Sequence, residues 1–209
     1  MTETPKVSHK RRRALRARRF RRFAAAAAAV LIFALAGVGI WMLLGTRHEI
    51  TVQTYPMEYE PVIRACAADN GLEPALPAAI ILAESSYLPQ AVSQADARGL
   101  MQLLPSTAEW ISEKFGESFE VEALFDPDTN IRYGCWYLGY LMRRFGEDMT
   151  CAVAAYHAGQ GRVDEWLANQ EYSPDGVTLV QIPSQATDAY VKRVLRYYEK
   201  YVQLYLQAD

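Results

Sequence analysis

With 209 residues, about half of them hydrophobic and 13 of them tyrosine, the chain is long enough for one ordinary globular domain plus extra segments. Its net charge of −2 hides an asymmetry: residues 1–22 hold ten of the 22 Lys and Arg against one acid, Glu3, which leaves 12 bases facing 23 acids in the rest. A basic head on an acidic body points away from a nucleic-acid-binding protein, because the bases run straight into an uncharged apolar stretch rather than onto a folded surface.

That stretch, residues 23–44, is FAAAAAAVLIFALAGVGIWMLL. As a helix its length is about 33 Å, enough for a hydrocarbon core of about 30 Å. With the bases all before it, residues 1–22 are expected in the cytoplasm and everything after residue 44 outside. A cleaved signal peptide is the alternative. The length of the run and its close on Trp41-Met42-Leu43-Leu44 favour an uncleaved signal anchor. Residues 45–56 read as a polar tether.

From Tyr59 the pattern turns helical, with Val62, Ile63, Cys66 and Ala67 on one stripe and Asn70-Gly71 closing it. A second helix is expected from the Pro74–Pro77 region through Ala78-Ala79-Ile80-Ile81-Leu82-Ala83 into Glu84, apolar nearly all round and therefore central. Residues 90–102 carry a short hairpin or a loop. Ser106 or Thr107 is expected to cap a third helix through Phe115, with Glu109 completing a capping box on Ser106. Asp126-Pro127-Asp128 is a strong helix start, and Ile131, Cys135, Leu138, Met142 and Phe145 form the following stripe up to Gly146. Short helices are expected over 151–158 and 162–167, a loop over 173–182, and a last helix capped by Thr187 or Asp188 and running to about Gln207. The whole is mainly α, a single helical domain over 57–209, preceded by one transmembrane helix.

Cys66, Cys135 and Cys151 are odd in number and lie in apolar patterns, so buried free thiols are expected, with a Cys135–Cys151 bridge as the minority alternative. Neither the cysteines nor His9, His48 and His157 have metal-site spacing, so no metal or other cofactor is expected.

Glu84 is the residue with chemical promise. A carboxyl at the end of a greasy helix loses solvation, stays protonated to higher pH and can serve as a general acid. The alternative is that it ends its helix in water or pairs with Arg98. Its context carries further information: AESSYLPQAVSQADARGLMQLLPSTA, FDPDTNIRYGCWYLGYLMRRFG, CAVAAYHAGQGRVDEWL and IPSQATDAYVKRVL occur in this order over roughly residues 59–200. Together these segments resemble the catalytic domain of the soluble-type lytic transglycosylases of peptidoglycan, which have a goose-type-lysozyme-like (α+β lysozyme-like) fold. The resemblance implies Glu84 as the single catalytic acid/base and Ser85 as its supporting serine. It implies Ser93, Met101 and Gln102 as groove positions, Tyr156 and His157 as the counterpart of an Ala-Tyr-Asn-Ala-Gly segment, and Tyr190 as the tyrosine lying against the acid. It also implies cleavage of the MurNAc-β-1,4-GlcNAc bond with a 1,6-anhydro product. Peptidoglycan strands and the membrane are the expected partners, and cell-wall or secretion-machinery proteins are candidates. A hydrolytic muramidase and an inactive wall-binding or assembly domain are the alternatives. Four positions depart from the pattern: His157 replaces Asn, Asp96 stands where Gly is common, and Ala186 and Asp188 flank Thr187 where Glu-Thr-Arg is usual.

Overall fold

The computed structural model describes residues 53–207, together with Phe33, residues 35–39 and Trp41. The segment 1–22 and most of the expected span 23–44 lie outside the described residues, and among the described ones no helix is long and apolar enough to cross a membrane. Tyr55–Asp209 forms one compact unit.

This unit is helical. Helix α1 (Glu60–Asp69) buries Ile63 and Ala67 and closes on Asn70, with Gly71 in the left-handed region. Helix α2 (Ala75–Ser85) buries every residue from Ala75 to Ile81 and is the central element. It ends one residue past Glu84, where Ser86 (φ 52°) and Tyr87 (φ 65°) are successive left-handed residues, a conformation that disfavours side chains with a Cβ. Tyr87 is held there by burial and by the Tyr201 hydroxyl 3.2 Å away.

Helix α3 (Pro105–Phe115) begins one or two residues before the expected cap. Pro105 sits in its first turn and Leu104 at the cap, with no side-chain cap bond, so proline's fixed φ starts the helix rather than a hydroxyl. A 3-10 turn, Val121–Phe125, leads into α4 (Pro127–Arg144), whose cap Asp126 accepts from Thr129 N at 2.9 Å. Helices α5 (Met149–Ala158) and α6 (Gln160–Leu167) are separated by Gly159 at φ 88°. Helix α5 starts two residues earlier than expected because Asp148 caps Cys151 N at 2.7 Å. Helix α7 (Gln185–Tyr201) is capped by Ser184, not by Thr187 or Asp188, and runs into a π turn, Val202–Leu206.

Helix α2 packs chiefly against α7, and α4 and α5 close the core around them. Among the described residues, strand pairing is confined to two isolated bridges, Val92–Arg98 and Arg98–Leu103. The three cysteines are free, Cys135 and Cys151 being buried, and burial pushes their thiols up, that of Cys151 to about 12. At the other end of α7, Tyr201 donates to Pro56 O at 2.6 Å and Tyr205 to Tyr55 O at 2.7 Å, tying the chain entering the unit to its last helix.

Candidate active site

Glu84 stands in the last turn of α2, half-buried. Because the helix below it is apolar on every side, its carboxyl meets little water, and burial pushes it above the ordinary carboxyl range. Two weaker influences act the other way: the Tyr190 hydroxyl, which donates to Glu84 Oε1 at 2.5 Å, and the charge of Arg193. Arg98 does not pair with Glu84. Its guanidinium binds Asp96 at 3.1 Å and lies 5.6 Å over the Phe125 ring.

Tyr190 is buried on α7, and burial together with the Glu84 charge raises its phenol well above the usual tyrosine range, so it keeps the proton that it donates to Glu84. The His157 ring, in the last turn of α5, lies 4.5 Å from the Tyr190 ring. His157 Nδ1 is 3.2 Å from Thr187 Oγ1, which lies 3.0 Å from Ser184 Oγ. Nδ1 therefore donates or accepts here according to the tautomer, and Nε2 takes the opposite role in the neutral ring. Burial and Arg193 lower the imidazole's pKa, keeping it neutral at neutral pH. Tyr156 donates to Met101 O at 2.7 Å, and its raised pKa reflects burial and then the Glu84 charge.

A cavity of about 230 Å³ opens beside these residues, lined among others by Gln102, Leu104, Thr107, Tyr137, Tyr156 and His157. Gln102 adopts φ 48°, and its Nε2 donates to Ala91 O (3.0 Å) and Gly99 O (2.9 Å), which leaves its carbonyl oxygen for a ligand. Ser85 Oγ donates to Leu100 O at 2.8 Å and so ties the end of α2 to the loop. Exposed Ser93 shapes that loop by accepting from Ala95 N and Ala97 N at 3.2 and 3.1 Å. Met101 is fully buried, and its sulfur is where a Cβ on Gly134 would fall, 2.2 Å away. Of the eight residues singled out from the sequence, Glu84, Tyr156, His157 and Tyr190 thus face one another, Gln102 lines the cavity beside them, and the side chains of Ser85, Ser93 and Met101 turn to the loop and core.

Sequence reasoning missed Asn130. It is buried, donates to Arg98 O (3.0 Å) and Leu124 O (2.8 Å), and accepts from Met101 N (2.7 Å). It holds the loop against α4, and a Cβ on Gly99 would strike Leu124 O at 2.1 Å. An asparagine inside a helix and a glycine at φ 77° are the signals that could have found this staple. Asp96 at φ 63° shows that the aspartate takes the left-handed turn otherwise favoured by Gly. A larger depression of about 560 Å³ beyond α7 holds Asp188, but that carboxylate is paired with Lys192 at 2.8 Å. Among the described residues no cluster of His, Cys, Asp or Glu is arranged to hold a metal.

Residues 61–177 match the family described as the transglycosylase SLT domain. The chain is 36% identical over 149 residues to the soluble lytic murein transglycosylase of Escherichia coli K12, covering 69% of this chain and 23% of that protein. It is 31% identical over 175 residues to the membrane-bound lytic murein transglycosylase C of Actinobacillus pleuropneumoniae, covering 73% and 48% respectively. The crystal structure of the 70 kDa soluble lytic transglycosylase of E. coli superposes with a TM-score of 0.67 at 30% identity, covering 76% of this chain and 26% of that one. An inactive mutant of the Pseudomonas aeruginosa lytic transglycosylase Slt gives 0.64 at 34%, covering 71% and 24%. The chain thus spans about a quarter of the length of the soluble relatives it matches and about half of the membrane-bound one. With more than half of its residues inside the matched segment and its fold shared with these structures, the chain belongs to the transglycosylase SLT domain family.

Proposed function

We propose that this chain is a membrane-anchored peptidoglycan lytic transglycosylase with Glu84 as its single general acid and base. The observation that carries the reading is the carboxyl of Glu84, pushed upward by burial at the end of an apolar helix and held by one donor, Tyr190, at 2.5 Å. A raised carboxyl keeps its proton near neutral pH, as a general acid requires.

Protonated Glu84 gives its proton to the oxygen between N-acetylmuramic acid and N-acetylglucosamine as that bond breaks. The substrate's own acetamido oxygen stabilises the cationic anomeric carbon. Glu84, now a carboxylate, takes the proton of the C6 hydroxyl, which attacks the anomeric carbon and closes a 1,6-anhydro ring. Attack from within the same sugar has a high effective molarity, so no second carboxylate has to activate a water. The nearby acids are committed elsewhere, Asp96 to Arg98 and Asp188 to Lys192, in keeping with a one-acid mechanism. Tyr190 fixes the carboxyl's orientation, while Gln102 Oε1 presents an acceptor and His157 Nε2 a hydrogen-bonding partner for sugar N–H and O–H groups. The uncharged segment 23–44, after its basic head, holds the domain on the outer face of the membrane, with residues 45–56 as tether and 57–209 as the catalytic domain. The membrane-bound relative favours this placement.

Digestion of purified peptidoglycan by the full-length chain, with mass spectrometry of the released muropeptides, tests the proposal. Anhydro ends from the wild type and none from Glu84→Gln are the expected result. Reducing ends would make the enzyme a hydrolase, and equal failure of both proteins would reduce it to a wall-binding domain.

A further inference from the structure

Arg193 is left over from this mechanism. It follows Tyr190 by three residues on α7, so the two side chains share a face, and its guanidinium lies 5.5 Å over the Tyr190 ring. Among the described residues Arg193 makes no ion pair and no hydrogen bond, and its Nε is the one buried side-chain nitrogen or oxygen without a partner. Its terminal nitrogens, equally without protein partners, are open to solvent. A half-buried guanidinium with idle donors is an expensive arrangement unless something arrives to use them. The charges around it do not. Asp188, on the same helix, is paired with Lys192, His157 on α5 is neutral, and Glu84 on α2 carries a proton in the form ready to react. In that form the site holds one uncompensated positive charge, and its fork of N–H groups suits a carboxylate better than a hydroxyl.

We propose that Arg193 is a carboxylate anchor of the glycan site, receiving an acidic substituent of the muramoyl strand beside Glu84. This rests on the function proposed above. Muramoyl residues offer the chemistry in two forms: the lactyl carboxylate, free on strands stripped of peptide, and the carboxylates of the stem peptide on intact ones.

The test uses the full-length chain carrying Glu84→Gln, which binds without turnover and mimics the protonated acid. Calorimetry measures its affinity for a stripped GlcNAc–MurNAc tetrasaccharide with free lactyl carboxylates, for the methyl ester of that tetrasaccharide, and for the peptide-bearing tetrasaccharide. The free acid is expected to bind about tenfold more tightly than the ester, the ratio for one charge-assisted contact. Adding Arg193→Gln should erase the difference, while Arg193→Lys keeps part of it and serves as the folded comparison if the glutamine variant is unstable. A loss of affinity for the peptide-bearing strand on Arg193→Gln assigns the stem peptide as a source of the carboxylate, and a loss confined to the stripped strand assigns the lactyl group. Equal binding of acid and ester together with an unchanged affinity for the peptide-bearing strand on Arg193→Gln, or an equal loss for all three strands on Arg193→Gln, overturns the anchor. Failure of all three strands to bind overturns the glycan reading itself, and the anchor with it.

Discussion

Two carboxylates in this domain are each held by neighbouring donors, yet they are pushed in opposite directions. Glu84 sits at the end of α2 with one donor, the Tyr190 hydroxyl, and burial raises its pKa. Asp175 sits in the exposed turn after α6 and accepts from Val177 N, Thr178 N, Ser173 Oγ and Thr178 Oγ1 at 2.6 to 3.2 Å, which holds it well below the usual carboxylate range. Hydrogen bonding alone does not distinguish the proposed acid from the structural one. The balance between lost water and supplied donors does. Where donors replace the water fully, the charged form is native and shapes a loop. Where one donor replaces it partly, the proton stays within reach of a substrate.

The comparison breaks most visibly at Glu84. Glu84→Gln removes the proton donor and keeps the shape, and should lower the rate of muropeptide release by about 10³-fold, within the span of general acid catalysis. A milder change sharpens the contrast: Tyr190→Phe deletes the one donor that counteracts burial. The Glu84 pKa then rises further, so the basic limb of the pH–rate profile, where the protonated acid is lost, should move to higher pH. The maximal rate should fall by about tenfold, as for a lost orienting hydrogen bond to a charged group. A profile unmoved by Tyr190→Phe would show that the tyrosine does not set the acid.

Stability should report the same balance from the other side. The folded-state pKa of Glu84 is raised, so its contribution to stability is greatest below the unfolded value of about 4.3 and falls as pH rises through the folded value. At neutral pH, above the unfolded value, folding is therefore penalised for holding Glu84 where water is scarce, and Glu84→Gln should unfold at higher denaturant, by about 1 kcal/mol. Below the ordinary carboxyl range that gain should disappear. Such a trade between stability and activity would mark Glu84 as a site kept for chemistry.

Much of this was legible before any coordinates. The α2 run had no polar face to turn outward, so its central place followed from composition, and Asp126-Pro127 fixed the start of α4 because cap and proline agree there. Helix starts were less legible where several candidates competed. Ser106 lost to Pro105, and Thr187 lost to Ser184, because a fixed φ or a residue three positions earlier satisfies the first turn equally well. The juxtaposition of Glu84, Tyr156, His157 and Tyr190 came from the family pattern, since no periodicity tells which turns of α2, α5 and α7 will meet. Asn130 and Arg193 stayed hidden for a different reason. An asparagine or arginine on a helix reads as solvated until a neighbouring loop or ring is seen against it, and Gly99 and Gly134 gave only the hint that something approaches closely.

The smallest expected effect lies at Asp175. Its depressed pKa means that its stabilising contribution is complete above the unfolded value of about 3.9 and is lost as pH falls through the folded value. Asp175→Asn keeps one acceptor but presents an N–H₂ group to donors, Thr178 N and Thr178 Oγ1 among them, so the turn should loosen at neutral pH. Because the carboxylate is exposed and water substitutes for what is lost, the change should be slight in melting temperature and clearer in faster amide exchange at Val177 and Thr178. The difference from wild type should shrink on acidification, as the wild-type carboxylate takes up its own proton. Glu84→Gln and Asp175→Asn are the same chemical edit, so their opposite signs at neutral pH would isolate solvation as the variable. If Asp175→Asn instead stabilised the domain as Glu84→Gln should, donor count would not be what separates the two carboxylates.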